Sequence, residues 1–227
     1  MYTGYINKNG KKMKVHISEY MNYYKVDGHE PLCFVCNTVV NVRNDSHAIR
    51  NTHFYHKNNS NCPTVLSSRE RYLNLRYRSY DKDRGERIKK EVKNNLSKIY
   101  NACRKLCDGL YYYEFENLLL KASQRRMWDY ANIELSHISY NLLTLETSFA
   151  RTKGGRLKGV YFCFSNQHLG DRLWIEFDNK DLSLLKFEKS SKKLSNTIPV
   201  NDDFLNYDLR NKERFMEKSP NFLKAIF

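Results

Sequence analysis

The chain has 227 residues, of which 41% are hydrophobic and 28% are charged, and this balance predicts a globular protein rather than a disordered one. No apolar stretch approaches the length of a membrane span, and the N-terminus lacks the apolar segment of a signal peptide, so we expect a cytoplasmic protein that does not associate with membranes. The formal net charge of +14 favours anionic partners such as nucleic acid, although a sequence rich in Lys, Asn and Tyr is also typical of AT-rich genes.

The first 30 residues are predicted to form strands. An Asn-Gly step closes the turn at 7–10, and residues 12–17 then alternate polar and apolar side chains, which is typical of a hairpin. The following segment, 31–64, has little periodicity and many turn-forming residues. Such an irregular segment needs a cross-link to be ordered, and a bound metal ion would supply one.

Helical periodicity begins near residue 67 and continues to about residue 108. Gly85 is predicted to mark a break or a join between two helices, and Gly109 is expected to cap the C-terminal end. Apolar positions recur at steps of three and four residues, which predicts one buried stripe made of Ile88, Val92, Leu96, Ile99, Cys103 and Leu106.

A second helical region is predicted over 112–149, with an interruption near residue 130. Its second half has a strict apolar stripe, formed by Leu135, Ile138, Leu142, Leu145 and Phe149. This stripe predicts a helix that continues to residue 149, and an exposed basic loop is expected to follow over 151–155.

The chain then returns to strands, because aromatic-rich runs occupy 160–164, 173–177 and 184–187. A short helix is expected around 211–217. The predicted fold class is therefore α+β, with a small β-rich N-terminal head over residues 1–66 and a helical body with a small antiparallel sheet over 67–227. No flexible linker separates the two parts, so they can pack as one unit.

The chain has six cysteines, and a reducing cytoplasm argues against disulfides between them. Cys103, Cys107 and Cys163 occur in apolar-patterned segments and are predicted to be buried free thiols. The other three cysteines occur early in the chain near two histidines, in a group made of Cys33, Cys36, His53, His56 and Cys62.

This early group predicts a structural zinc site that staples the head. Zinc prefers four thiolate or imidazole ligands in a tetrahedron, and a C-x2-C pair such as Cys33 and Cys36 places two sulfurs on one tight turn. We favour His56 and Cys62 as the other two ligands, with His53 as the alternate histidine. The competing interpretation is a free cysteine pair beside surface histidines.

The order of these residues is similar to the zinc-binding head of competence protein CoiA-like proteins. In those proteins a C-x2-C pair precedes a His-Phe-Ala-His type run, and here Cys33-x2-Cys36 precedes His53-Phe54-Tyr55-His56 and then Cys62. The predicted strands before the pair, with Gly10 in the turn, also fit that head. The resemblance covers about 60 residues of the chain.

The resemblance implies a bacterial or mobile-element protein that handles DNA, in competence, recombination or phage defence, so DNA is favoured over RNA. CoiA-like proteins commonly join this head to a restriction-endonuclease-like domain, which needs an acid and then an acid-x-Lys pair to hold a divalent metal. The nearest catalytic candidates are Glu176 and Asp178. However, Asp178 stands where the lysine is expected, and the more ordinary interpretation of both acids is a solvated strand face.

The segment from Arg69 to Lys105 contains thirteen Lys or Arg against five acids. Arginines that hold phosphate beside tyrosines that stack on bases suit nucleic-acid recognition, whereas the competing interpretation is a solvated helix face. The predicted nucleic-acid-binding residues are Arg69, Arg71, Tyr72, Arg76, Tyr77, Arg78, Arg84, Arg87, Lys89, Lys90 and Lys93. Farther along the chain, the three consecutive tyrosines at 111–113 are expected to serve packing.

Three functions are compatible with these residues. The first is a zinc-containing nucleic-acid-binding protein of a bacterial, phage or mobile-element DNA-handling or defence system, in which basic helices hold phosphate. The second is a divergent metal-dependent nuclease, for which the sequence contains no complete catalytic motif. The third is an adaptor that binds a protein partner in a defence or mobile-element complex.

Overall fold

The computed structural model describes residues 1–43, 52–57, 60, 62–65, 79–153, 155–165 and 182–200. The N-terminal hairpin is formed by β1 (Thr3–Lys8) and β2 (Lys11–His16), which pair antiparallel. Asn9 and Gly10 between them have φ values of 51° and 74°, which is the left-handed pair that a tight hairpin turn requires. The predicted hairpin is confirmed.

A helical turn follows the hairpin, so the prediction of strands throughout residues 1–30 was wrong. The chain forms α1 (Ile17–Glu19) and continues as a π-helical turn over Tyr20–Tyr24. Tyr20 is buried, its ring contacts Phe54 edge-on at 5.4 Å, and its hydroxyl donates to the carbonyl of His29. These tertiary contacts outweigh the β propensity of an aromatic-rich segment.

Two further short strands, β3 (Asn41–Arg43) and β4 (His53–Tyr55), pair antiparallel in the head. The backbone of Leu32 bridges Tyr5 of β1 on one side and Val39, which lies just before β3, on the other. The side chain of Phe54 is fully buried between these elements. The head is therefore a set of small sheets around one apolar centre rather than a single large sheet.

In the part of the body that the structure describes, the first helices are α2 (Lys82–Asn94), α3 (Leu96–Leu106) and α4 (Tyr112–Gln124). The break between the first two is at Asn95, whose side-chain amide donates to the carbonyl of Glu91. The predicted break at Gly85 was wrong, because Gly85 is buried inside α2. Gly109 does have a left-handed φ of 62° after α3, as a residue that ends a helix often has.

Gly85 has a packing role in α2. A Cβ at this position would lie 2.8 Å from Asp129 Oδ1 and 3.1 Å from the carbonyl oxygen of Trp128. Both residues belong to the 3-10 turn Met127–Asp129, which packs against the helix at this point. The glycine is therefore needed for the close approach of two elements and not for a turn.

The helix α5 (Ile138–Thr144) follows the 3-10 turn Leu135–His137, and every residue of α5 is buried. The predicted continuation to residue 149 was wrong. Phe149 instead forms a backbone bridge with Val160, with N–O distances of 2.7 and 2.9 Å. Apolar residues recur in any chain that is buried on all sides, whether or not it is helical. The apolar stripe therefore continued past the end of the helix, and the prediction placed that end too late.

The C-terminal sheet has the order β5 (Val160–Phe164), β6 (Ser183–Glu188) and β7 (Leu194–Pro199), and all neighbours are antiparallel. The predicted strands at 160–164 and 184–187 are confirmed, whereas β7 was not predicted. The expected strand at 173–177, the helix start near 67 and the helix at 211–217 lie outside the described residues. The fold class is α+β.

Buried residues of the head and the body belong to one hydrophobic cluster. Phe34 of the head stacks on Phe187 of β6, with ring centroids 5.7 Å apart. The boundary predicted at residues 66 and 67 falls outside the described part of the chain and stays a prediction. Within the described ranges, no helix combines the length and the apolarity that crossing a membrane requires.

Candidate metal centre

The head brings together four side chains that can bind one metal ion. The ligand atoms of Cys33, Cys36, His56 and Cys62 all lie within 4.8 Å of one another. The three cysteines are buried and the histidine is half-buried. These are the four residues favoured from their spacing in the sequence.

The first two ligands are held by a tight turn. The backbone N–H of Cys33 donates to the carbonyl of Thr38, and the N–H of Asn37 donates to the carbonyl of Cys33, each at 2.8 Å. Asn37 has a left-handed φ of 55°, which reverses the chain directly after Cys36. The N–H of Val35 points at the sulfur of Cys33 from 3.3 Å. The turn thus aims both sulfurs at one point and supplies a backbone donor to one of them.

The distances between ligand atoms fit a tetrahedral ion. Cys33 Sγ lies 3.8 Å from Cys62 Sγ, and Cys36 Sγ lies 3.7 Å from His56 Nε2. A tetrahedron with metal–sulfur bonds of about 2.3 Å has sulfur–sulfur edges of about 3.8 Å. A disulfide would need a sulfur–sulfur distance of about 2.0 Å, and all six cysteines are free.

Hydroxyl groups surround the four ligands. Thr38 Oγ1 lies 2.9 Å from Cys36 Sγ, and Thr64 Oγ1 lies 3.0 Å from Cys62 Sγ. Ser60 Oγ lies 3.0 Å from His56 Nδ1 and accepts from the backbone N–H of Cys62. A partner on Nδ1 fixes the orientation of the imidazole and leaves Nε2 for a metal, as is common for metal-binding histidines.

These hydroxyl residues were missed from the sequence, although a signal was present. Each of the two threonines follows a cysteine ligand by two positions, in the triplets Cys36-Asn37-Thr38 and Cys62-Pro63-Thr64. A residue two positions after a ligand in a turn is close enough to return a side-chain donor to the sulfur.

His53, the alternate ligand, lies away from the cluster. It is in β4, where it pairs with Arg43, and its ring lies 6.4 Å from the rings of Tyr2 and Tyr55. Alternation along β4 buries Phe54 and turns His53 to the opposite face. His56 follows the end of the strand, where the chain is free to bend toward the cysteines.

The three cluster thiols differ in acidity. Hydrogen bonds from Cys33 and Cys62 lower the pKa of Cys36 far below its usual range, whereas burial raises the pKa of Cys33 well above it. A hydrogen bond with Cys33 lowers the pKa of Cys62, but the hydrogen bond to Cys36 and burial outweigh it and give a pKa of about 12. Hydrogen bonding among the three sulfurs therefore favours the thiolate form of Cys36 over that of Cys33 or Cys62.

The remaining cysteines are buried free thiols, as predicted. Burial raises the pKa of Cys103 well above its usual value. Burial also raises the pKa of Cys107 to about 11, although the guanidinium of Arg156 opposes the shift. The thiols of Cys103 and Cys107 are therefore neutral near neutral pH, and all three cysteines belong to the core of the body.

The structure divides the predicted nucleic-acid-binding residues that it describes into two groups. Arg84 donates from Nε and Nη2 to the carbonyl of Ile133, and Lys89 pairs with Glu86 at 2.7 Å. In contrast, the side chains of three residues are exposed on the outer side of α2 and have no ion pair among the residues described; they are Arg87, Lys90 and Lys93. We call these three residues the α2 basic face.

The other predicted residues lie outside the ranges that the structure describes. They are the basic and aromatic residues Arg69, Arg71, Tyr72, Arg76, Tyr77 and Arg78, together with the catalytic candidates Glu176 and Asp178.

Comparison of the chain with protein-family models, with curated proteins and with solved structures found no match.

Proposed function

We propose that the protein is a zinc-containing nucleic-acid-binding protein of a bacterial, phage or mobile-element DNA-handling or defence system. Zinc is supported by the ligand set, because three thiolates and one imidazole in a tetrahedron suit this ion better than magnesium, calcium or manganese, which favour oxygen. The DNA-handling class rests on the similarity of the Cys33–Cys62 segment to the CoiA-like head.

The zinc has a structural role in this proposal. Cys33, Cys36, His56 and Cys62 would supply all four ligands of a tetrahedral zinc ion, so no position would be open for water or substrate. When bound, the ion supplies positive charge that keeps Cys33 and Cys62 deprotonated. The four residues join the turn at Cys33 and Cys36 to His56 and Cys62 after β4, next to the hydrophobic cluster to which the cysteines belong.

The observation that carries the nucleic-acid part is the α2 basic face within a chain of net charge +14. Arg87, Lys90 and Lys93 are exposed, and in the ranges described no carboxylate pairs with them. Cations that have no carboxylate partner can replace the counterions of a phosphate backbone. The released counterions make the affinity for nucleic acid depend steeply on the salt concentration.

The test is a salt titration of binding to single-stranded DNA, duplex DNA and RNA. The variant R87Q/K90Q/K93Q removes the α2 basic face. The matched control K189Q/K192Q/K193Q makes the same change in net charge at the exposed turn between β6 and β7. For duplex DNA, we expect the slope of log affinity against log salt to become shallower by roughly 0.9 for each phosphate that the α2 variant no longer neutralises, and to stay near wild type in the control.

Two results would contradict the proposal. If the wild-type protein binds none of the three nucleic acids at low salt, the function is wrong. If both variants lose affinity equally, net charge rather than the α2 basic face is responsible, and the assignment of these three residues fails.

A further inference from the structure

Two exposed tyrosines stack on each other at the start of α4. The rings of Tyr111 and Tyr113 have centroids 5.7 Å apart and planes 23° apart, and the residues are 39% and 58% exposed. The expectation that 111–113 serves packing was therefore wrong for two of the three residues. Only Tyr112 is turned inward, where its ring contacts Tyr100 edge-on at 5.9 Å.

A buried ion pair holds a basic loop beside these rings. Arg156 is 2% exposed, and its Nη2 donates to Glu114 Oε1 at 2.6 Å while its Nη1 points at Cys107 Sγ from 3.1 Å. The other carboxylate oxygen of Glu114 accepts from the backbone N–H of Tyr111 at 2.9 Å. One carboxylate thus connects the loop before β5 directly to the first tyrosine.

The loop is also closed on itself and packed against the turn before α4. The N–H of Thr152 donates to the carbonyl of Arg156, and the N–H of Arg156 donates to the Thr152 hydroxyl. A Cβ on Gly155 would lie 3.6 Å from the backbone nitrogen of Gly109. The buried Arg156 therefore closes the loop and, through Glu114, anchors it to the backbone of Tyr111; we call residues 151–153 and 155–157 the ledge.

The charges on this surface are mostly positive and accessible. Arg151 and Lys153 are exposed, and neither has an ion pair in the part of the chain that the structure describes. The nearby acids have partners, since Glu114 pairs with Arg156 and Asp108 pairs with Lys186 at 2.8 Å. Two such cations on a loop anchored to the backbone of Tyr111, together with two exposed aromatic faces, suit a partner that carries both phosphates and flat rings.

We propose that Tyr111, Tyr113, Arg151 and Lys153 form a binding site for single-stranded nucleic acid. Unpaired bases stack on the outer faces of the two rings, while the cations of the ledge hold the phosphates of the same strand. In a duplex the base faces are covered by neighbouring bases, so the rings cannot stack on them without unstacking the helix. This inference rests on the proposed function and narrows it to a single-stranded ligand.

The experiment measures binding of fluorescently labelled single-stranded DNA, single-stranded RNA and duplex DNA of equal length at one salt concentration. The variant Y111A/Y113A removes both rings, Y111F/Y113F keeps the rings without the hydroxyls, and Y23A removes a tyrosine of the head that is 65% exposed. We expect the alanine pair to weaken single-strand binding by about tenfold or more, and the phenylalanine pair and Y23A to bind like wild type.

The outcomes separate this inference from the proposed function. If wild type binds a single strand and Y111A/Y113A binds it equally well, the tyrosine site is refuted while nucleic-acid binding stands. If wild type prefers duplex DNA and the tyrosine variants have no effect, the single-strand assignment is also refuted. If wild type binds no nucleic acid, both ideas fail. Equal melting temperatures of the variants verify that the exposed changes leave the fold intact.

Discussion

His56 and His53 are three residues apart, yet only one of them faces the cysteines. His56 Nε2 lies 3.7 Å from Cys36 Sγ, whereas His53 contacts Tyr2 and Tyr55 on the far face of β4. Spacing favoured His56 and left His53 as the alternate, because both histidines lie within reach of a C-x2-C pair. The two histidines are separated by the position of β4 in the chain: the strand turns the side chain of His53 away from the cysteines, whereas His56 follows the strand and reaches them.

This difference predicts opposite effects of two substitutions. H56A should lose stoichiometric zinc on purification, because three cysteine ligands leave one coordination position to solvent. H53A should keep about one zinc per chain. Elemental analysis of the two proteins beside wild type measures this directly. Zinc loss in H53A with retention in H56A would overturn the ligand assignment.

The acidities of the cluster thiols predict how zinc affinity depends on pH. Burial raises the pKa of Cys33, and the pKa of Cys62 is raised to about 12, so both hold protons at neutral pH that the metal must displace. Lowering the pH favours the protonated, metal-free form. The dissociation constant should therefore rise by about two powers of ten for each unit of pH decrease near neutrality. Competition with a chromophoric chelator measures it, and an affinity independent of pH would contradict the prediction.

Among the secondary-structure elements, α2 shows how a close contact can override helix propensity. Alanine is a better helix former than glycine by about 1 kcal/mol, so propensity alone predicts that G85A stabilises the protein. The added Cβ would lie 2.8 Å from Asp129 Oδ1 and 3.1 Å from backbone atoms of the 3-10 turn, which cannot move away without repacking.

We therefore expect G85A to lower the free energy of unfolding by about 1–3 kcal/mol, measured by urea denaturation. The control is K93A on the exposed face of the same helix, which should change stability by less than about 0.5 kcal/mol. Unchanged or increased stability of G85A would mean that the 3-10 turn is not packed as closely as the structure shows.

The elements that the sequence predicted correctly are those specified by local chemistry. The Asn9-Gly10 step determines the hairpin turn by itself, and the C-x2-C pair determines the metal turn. The wrong predictions concern residues whose local structure is determined by contacts with residues distant in the sequence. A glycine such as Gly85 is typical of a helix break, but Gly85 packs against residues 127–129 inside a helix. The apolar stripe that ends at Phe149 continues past the end of its helix, where Phe149 forms a backbone bridge with Val160. The strand β7 lacks a clear apolar alternation and is defined by its pairing with β6.

At the scale of the whole molecule, the head and the body share one hydrophobic cluster, which no local pattern could reveal. The link is the pair Phe34 and Phe187, whose rings stack at 5.7 Å although they are far apart in the chain. The α+β class and the order of head, helices and sheet could be predicted from composition and periodicity. The packing of the head against the body could not be predicted, because it depends on which apolar surfaces meet in the folded chain.

The shared cluster predicts that zinc removal destabilises the body as well as the head. Both tryptophans, at 128 and 174, follow the predicted head, so tryptophan fluorescence reports on the rest of the chain. A zinc chelator should lower the melting temperature seen by this signal by about 10 °C or more, and added zinc but not magnesium should restore it. Unchanged melting of the fluorescence signal would show that head and body unfold independently.

Phe34 occupies the turn between the first two metal ligands, and its stacking partner lies on β6. During synthesis from the N-terminus, all four ligands leave the ribosome well before Phe187 is made. The four ligands can therefore bind an ion before Phe187 is available to cover the ring of Phe34. An apolar ring that is exposed on a folded surface favours association between nascent chains. Metal binding early in synthesis would thus order the head but leave Phe34 uncovered until the C-terminal sheet is made.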